Sequence, residues 1–198
     1  SELRGALRAD DTEAMAGCVE ALGAGVLADW DGARVVVDGT SGALRPGPVT
    51  VDARMSGTTA RFVAPVLALG RGDYRLTGHP QLIARPMAPV FDALRALGAE
   101  VHEDGEPGHL PAVVRAPGGL AGGRIEQPGQ VSSQFLSGLL LAAPLMTAGL
   151  EVTMTSPLVS LPYVELTRSV MAAFGVDVEG SHDRFTVRPQ RYRATGYE

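Results

Sequence analysis

Two stretches of this 198-residue chain set small hydroxyl side chains directly ahead of strongly apolar runs: Ser56-Gly-Thr-Thr59 and Ser132-Ser-Gln134. Serine and threonine at such positions cap helices, and the free N–H groups and dipole of a helix start can also hold an anion. Gly57 would let a ligand come close to the backbone. Capping alone accounts for one such segment. Two at corresponding places in a repeat point to a shared, ligand-facing end. Two turns repeat as well: Gly78-His-Pro-Gln-Leu-Ile-Ala-Arg85-Pro86 and Ser156-Pro-Leu-Val-Ser160-Leu-Pro162-Tyr163. Arg85 precedes a proline expected to start a helix, where the dipole disfavours a cation unless an anion accompanies it. An ordinary surface ion pair is the bland alternative, but the planar guanidinium suits two-point contact with a carboxylate or phosphate. The chemistry indicated is anion binding. No proton-transfer group stands out: Asp92 and Glu165 fall on expected solvated helix faces, and His79, His102, His109 and His182 have no metal-ligand spacing.

The elements that must position these residues recur. Segments ending Cys18-Val-Glu-Ala-Leu-Gly23, Phe91-Asp-Ala-Leu-Arg-Ala-Leu-Gly98 and Val170-Met-Ala-Ala-Phe-Gly175 carry apolar residues at helical spacing, and their terminal glycines are 75 and 77 residues apart. Each glycine suits a left-handed helix end. Asp10 with Glu13 resembles a capping box, and Pro86 and Pro162 are expected near first-turn positions. Short β patterns follow at Gly25–Ala28, Ala99–His102 and Val176–Glu179, then at 34–37, 112–115 and 185–188. In the first two copies a second helix comes next, Ser56–Leu69 and Ser132–Leu145, with first serines 76 residues apart. Strands at Tyr74–Thr77 and Glu151–Thr155 close those copies. The expected repeats are about 9–80, 84–158 and 161–190. The third lacks a serine-headed helix, and the missing helix is expected upstream of Ser1, with Ser1–Leu7 as the strand that follows it. The fold class is α/β, one domain built from one supersecondary unit used repeatedly.

Composition narrows the function. All 17 basic residues are arginine, which excludes a lysine Schiff base and a P-loop. The single Cys18 excludes an internal disulfide and a multi-cysteine zinc site. A net charge of -5 argues against broad nucleic-acid binding. The most apolar stretch, Phe135–Met146, is too short to span a bilayer, and no signal peptide is visible, so the expected location is cytoplasmic. A start without methionine suggests a processed or excised piece.

Ser132-Ser-Gln-Phe-Leu-Ser-Gly-Leu-Leu, Ser160-Leu-Pro-Tyr163, Ser56-Gly-Thr-Thr-Ala-Arg61 and Ala84-Arg-Pro86, in order over nearly the whole chain, resemble the 5-enolpyruvylshikimate-3-phosphate (EPSP) synthase family. That resemblance implies two similar domains, each of three βαβαββ units in a pseudo-threefold arrangement, with helix N-termini facing the interdomain cleft. This chain would be most of the shikimate-phosphate-binding domain, without its N-terminal segment and without the second domain. The implied reaction transfers an enolpyruvyl group from phosphoenolpyruvate to the 5-hydroxyl of shikimate 3-phosphate and releases phosphate, with no metal or organic cofactor. Carried over, Ser132, Ser133 and Gln134 contact shikimate 3-phosphate, Ser160 holds its phosphate and Tyr163 lines its ring side. Gly57, Arg85 and Gln134 face phosphoenolpyruvate, and a larger residue than Gly57 would crowd the phosphonate glyphosate. Arg61 matches a family arginine and is assigned to structure. Met55 stands where many members have asparagine and Gln81 where many have arginine, both departures on the phosphoenolpyruvate side. No catalytic group falls on this chain, so the fragment is expected to bind substrate without turnover until joined to its other half. The alternative is a non-catalytic binding module for a phosphorylated small acid.

Overall fold

A computed structural model describes residues 1–130 and 132–198. The first part of the chain forms β1 (Glu2–Arg4), α1 (Asp10–Ala21), β2 (Gly25–Asp29), β3 (Arg34–Asp38), β4 (Val49–Asp52), α2 (Gly57–Leu67) and β5 (Arg71–Thr77). The middle forms α3 (Pro80–Ile83), α4 (Ala88–Ala96), β6 (Glu100–Glu103), β7 (Ala112–Pro117), β8 (Gly123–Gln127) and α5 (Ser133–Ala142), the last running into a 3-10 turn at Ala143–Leu145. The remainder forms β9 (Leu150–Met154), α6 (Leu161–Ala173), β10 (Glu179–Ser181), β11 (Arg184–Val187) and β12 (Gly196–Tyr197).

The three glycines expected to end helices do so. Gly23, Gly98 and Gly175 follow α1, α4 and α6 with φ of +108°, +100° and +83°. In each case the next residue's N–H folds back across the last turn: Ala24 to Val19 O, Ala99 to Leu94 O and Val176 to Met171 O, at 2.9 to 3.0 Å. This is the Schellman arrangement, which needs a left-handed residue where L side chains are strained. Helix starts differ more from expectation. Ala9, not Asp10, caps α1, and the side-chain half of the box is Thr12 Oγ1 accepting from Ala9 N at 3.0 Å. Glu13 instead accepts from Arg8 and Arg54. Residues 176–178 are not strand; β10 begins at Glu179 and pairs through Ser181 with β11. Short α3 was not expected at all: Pro80 at its first turn and the His79 ring accepting from Gln81 N make the 78–86 turn helical for one turn.

Three four-stranded sheets share one plan, a parallel pair followed by an antiparallel hairpin: β4-β5-β7-β6, β8-β9-β11-β10 and β12-β1-β3-β2. Two of the sheets take their parallel pair from one sequence repeat and their hairpin from the next, so they run out of phase with the boundaries at 9–80, 84–158 and 161–190, and the third takes its parallel pair from strands outside those ranges. Two βαβαββ units are continuous, 49–117 and 123–187. The third sheet joins the chain's first strand to its last, Glu2 opposite Gly196. Helices α2 and α5 are the most apolar, burying Val63, Ala64 and Leu67 of one and Phe135, Leu136, Leu139 and Leu140 of the other. These join Tyr74, Leu76, Phe91, Val114, Val152 and Phe185 in one core.

The crossing of α2 and α5 is unusually close, and the sequence explains why. Pro65 lies inside α2 and has no N–H to donate to the Arg61 carbonyl one turn earlier. Gly138 of α5 sits against that freed carbonyl, and a Cβ built on Gly138 would collide with it. Gly138→Ala should therefore force the helices apart and cost about 1–3 kcal/mol, measurable as a lower denaturant midpoint. An unchanged midpoint would show that the crossing has slack. Cys18 gives a second test. Its thiol is 1% exposed, and burial, reinforced by the charge of Asp52, pushes its pKa up to about 12. The unfolded thiol ionises near pH 8.5 and the folded one does not, so stability should fall as pH rises between about 9 and 12, by up to about 1.4 kcal/mol per unit. Cys18→Ala should flatten that decline in alkaline denaturation curves.

Candidate functional site

The loops that lead into the helices are tied to each other in pairs, and this fixes where the helix starts point. Ahead of α2, Ala53 N donates to Thr77 O and His79 N to Arg54 O, binding the β4–α2 loop to the β5–α3 loop. Ahead of α5, Thr155 N donates to Gln127 O and Val159 N to Gly129 O. The Ser156 hydroxyl there accepts from Gly129 N and Gln130 N at 2.9 and 3.2 Å. The loop at 127–130 and the loop at 155–159 that leads to Ser160 are thereby tied together. Deeper down, Ser137 Oγ of α5 and Thr167 Oγ1 of α6 are hydrogen-bonded at 2.8 Å.

Ser56 and Ser132 both cap as expected: Ser56 Oγ accepts from Thr59 N at 3.0 Å and Ser132 Oγ from Gln134 N at 3.3 Å. The alternative for these serines, plain capping, is thus real, and both hydroxyls keep a hydrogen to donate. Ser133 is 6% exposed. Ser160 is the N-cap residue of α6 but its side chain makes no capping bond. Tyr163 is 66% exposed.

The head of α5 reaches the head of α2 through Gln134. Its Oε1 accepts from Arg61 Nη1 at 2.6 Å and its Nε2 donates to Thr58 Oγ1 at 2.8 Å. Arg61 lies one turn beyond Gly57 on the same helix face. Its guanidinium stacks 4.6 Å above the Phe135 ring, and Nη2 donates to Pro86 O at 3.4 Å. Arg85 completes the group: a Cβ on Gly57 would lie 3.1 Å from Arg85 Nη1 and 3.8 Å from Arg61 Nη1. Gly57, Gln134 and Arg85 thus meet at one place. Arg85 arrives there differently from expectation. It follows the C-terminus of α3, with Arg85 N donating to Leu82 O, while its side chain lies beside the start of α2.

The local charge is one-sided. Eleven arginines pair with carboxylates, but Arg61 and Arg85, like Arg45, Arg71, Arg191 and Arg193, do not among the described residues. No acidic residue occupies the first turn of α2, α5 or α6, whereas α1 has Asp10, Asp11 and Glu13. Burial, and then the neighbouring positive charge of Arg85, hold the Arg61 pKa below the usual arginine value. Two converging cations and acid-free helix starts favour a bound anion. Met55 and Gln81 are both exposed at the edge of this surface. Thr58, expected only as one of the hydroxyls heading the helix, and Arg61, expected to be structural, are the members not placed among the site residues from the sequence. A cavity of about 470 Å³ lies beside the turn that leads to Ser160, lined by Ser156, Leu158, Leu161, His182 and Asp183 among others. Among the described residues no three His, Cys, Asp or Glu group to hold a metal, and no helix is long and apolar enough to cross a membrane.

The family model for EPSP synthase (3-phosphoshikimate 1-carboxyvinyltransferase) matches residues 1–198. The 3-phosphoshikimate 1-carboxyvinyltransferase of Methanoculleus marisnigri is 41% identical over 194 residues, covering 96% of this chain and 45% of that protein. The enzyme of the same name from Methanothermobacter thermautotrophicus is 40% identical over 197 residues, covering 100% and 46%. A solved EPSP synthase from Acinetobacter baumannii has the same fold, with a TM-score of 0.86 at 24% identity over 100% of this chain and 43% of that one. The chain spans about half the length of the curated relatives it matches. With a family match along its full length and a fold shared with solved EPSP synthases, the chain belongs to the EPSP synthase family.

Proposed function

We propose that this chain is the shikimate-phosphate-binding part of an enzyme that moves an enolpyruvyl group from phosphoenolpyruvate to shikimate 3-phosphate. The observation that carries the proposal is the bridge from Arg61 through Gln134 to Thr58, which joins two acid-free helix starts beside Arg85. Two substrates bearing several negative charges need such a surface, and arginines and helix ends supply it without solvent reorganisation. In this reading Ser132, Ser133 and Gln134 hold shikimate 3-phosphate, Ser160 its phosphate, and Tyr163 the ring side. Gly57, Arg85 and Gln134 face phosphoenolpyruvate.

The reaction adds the 5-hydroxyl oxygen of shikimate 3-phosphate to C2 of phosphoenolpyruvate while the hydroxyl gives up its proton to a base and C3 takes a proton; loss of a proton from C3 and of phosphate from C2 then restores the double bond. Both steps need general acid–base groups, and Asp92 and Glu165 do not provide them: their described partners are Arg95 and Arg168 on their own helices. We assign proton transfer to a second domain of the same protein, and the helix between β12 and β1 to a segment outside these 198 residues. The repeated sheet plan supports this, since the other two sheets have α2 and α5 at that point in the unit. The location proposed is the cytoplasm.

Phosphate release from shikimate 3-phosphate plus phosphoenolpyruvate tests the proposal. This chain alone should give none, and the chain extended by the absent helix and second domain should be active. No activity after extension would favour a binding module without turnover. Ser133→Ala should weaken shikimate 3-phosphate binding roughly three- to tenfold by calorimetry with an unchanged thermal midpoint. Unaltered affinity would remove Ser133 from the site.

A further inference from the structure

Arg61 has no evident role in stability. Its side chain is half-buried, its Nε is buried with no hydrogen-bond partner, and among the described residues no carboxylate pairs with it. A cation kept partly out of water beside a second cation is costly. An apolar side chain would lie on Phe135 and against α5 without that penalty.

The hydrogen bonds show what the guanidinium does instead. Arginine donates and never accepts, so the Gln134 amide must turn its oxygen to Arg61 and its nitrogen to Thr58. Thr58 Oγ1 then receives a hydrogen bond and keeps its own hydrogen to give, and no described residue takes it. The chain of bonds has one possible direction, from Arg61 through Gln134 to Thr58. It leaves the Thr58 O–H and the second Nε2–H of Gln134 as donors beside Gly57 and Arg85. We propose that Arg61 is a positioning residue that fixes the polarity of the Gln134–Thr58 pair, and that Thr58 is a further binding residue whose hydroxyl donates to phosphoenolpyruvate. This rests on the reading of the site given above.

Three substitutions separate this role from simple packing. Arg61→Met removes the donor and keeps the bulk. Gln134→Glu keeps the partner of Arg61 but makes the Glu side chain an acceptor toward Thr58, so the threonine hydrogen is consumed internally. Thr58→Val removes the hydroxyl, and Thr58→Ser keeps it. Side-chain amide NMR of the unliganded 198-residue chain is the first readout. The two Gln134 Nε2 hydrogens should be distinct and ordered in the wild type and collapse to solvent-exposed values in Arg61→Met, with the backbone spectrum otherwise retained. Unchanged Gln134 signals in Arg61→Met would overturn the positioning role whatever the ligand.

Calorimetry with phosphoenolpyruvate, in the presence of shikimate 3-phosphate, is the second. Arg61→Met, Gln134→Glu and Thr58→Val should each lose about tenfold or more in affinity, while Thr58→Ser stays close to wild type. Arg61→Met with Thr58→Val should lose little beyond the larger single effect, because both break one chain. Full additivity, or wild-type affinity in Thr58→Val, would overturn the role of Thr58, and so would a wild type that binds shikimate 3-phosphate but not phosphoenolpyruvate. A wild type that binds neither would instead overturn the proposed function, leaving the amide spectrum to decide on Arg61.

Discussion

The contact between α2 and α5 governs the rest of the structure. Pro65 frees the Arg61 carbonyl and Gly138 allows α5 to rest on it, so the two backbones meet where most helices are held apart by side chains. That approach brings the heads of both helices within one side-chain length of each other. Only then can Gln134 reach Arg61 and Thr58 together. Interiors are packed densely enough that a shift at such a crossing is transmitted rather than absorbed. The proposed binding surface is therefore set by a deletion of atoms, a missing amide hydrogen and a missing side chain, beneath the polar residues at the heads of the two helices.

Around this crossing the protein separates two kinds of positive charge. Most arginines are matched with carboxylates, several of them on the sheet surfaces, as Arg115 is with Asp73 and Glu100 or Arg34 with Glu2. Such exposed pairs add little stability. At the starts of α2 and α5 the opposite holds: acids are kept out of the first turns, and Arg61 and Arg85 remain uncompensated. An acidic protein can thus hold a strongly anion-seeking patch without a net positive charge.

Local signals of the fold were easy to read. Glycines 23, 98 and 175 each end a helix because the left-handed conformation there has few other occupants, and Ser56 and Ser132 cap where hydroxyls normally cap. Signals that depend on a partner distant in sequence were harder. The Asp10–Glu13 pair looked like a capping box, yet Glu13 is drawn to Arg54, 41 residues on. Residues 176–178 have strand-like alternation, but pairing starts only at Glu179, where β11 is present. Arg61 looked structural because its partner Gln134 lies 73 residues away, beyond any local pattern. The phase of the sheets was hidden for the same reason: a repeat marks where a unit recurs, not which neighbours share its hydrogen bonds.

The pairing of β1 with β12 has its own consequence for how the protein is made. Glu2 leaves the ribosome almost two hundred residues ahead of its partner Gly196. The other two sheets can close soon after their own strands emerge, since each is drawn from a continuous stretch. Of the three sheets described, the one holding β1 and β12 is therefore the last to be finished, and the free edge of β1 must stay unpaired while the residues between the two strands are made. Its shortness, three residues in β1, keeps that exposed edge from serving as a template for a neighbouring nascent chain.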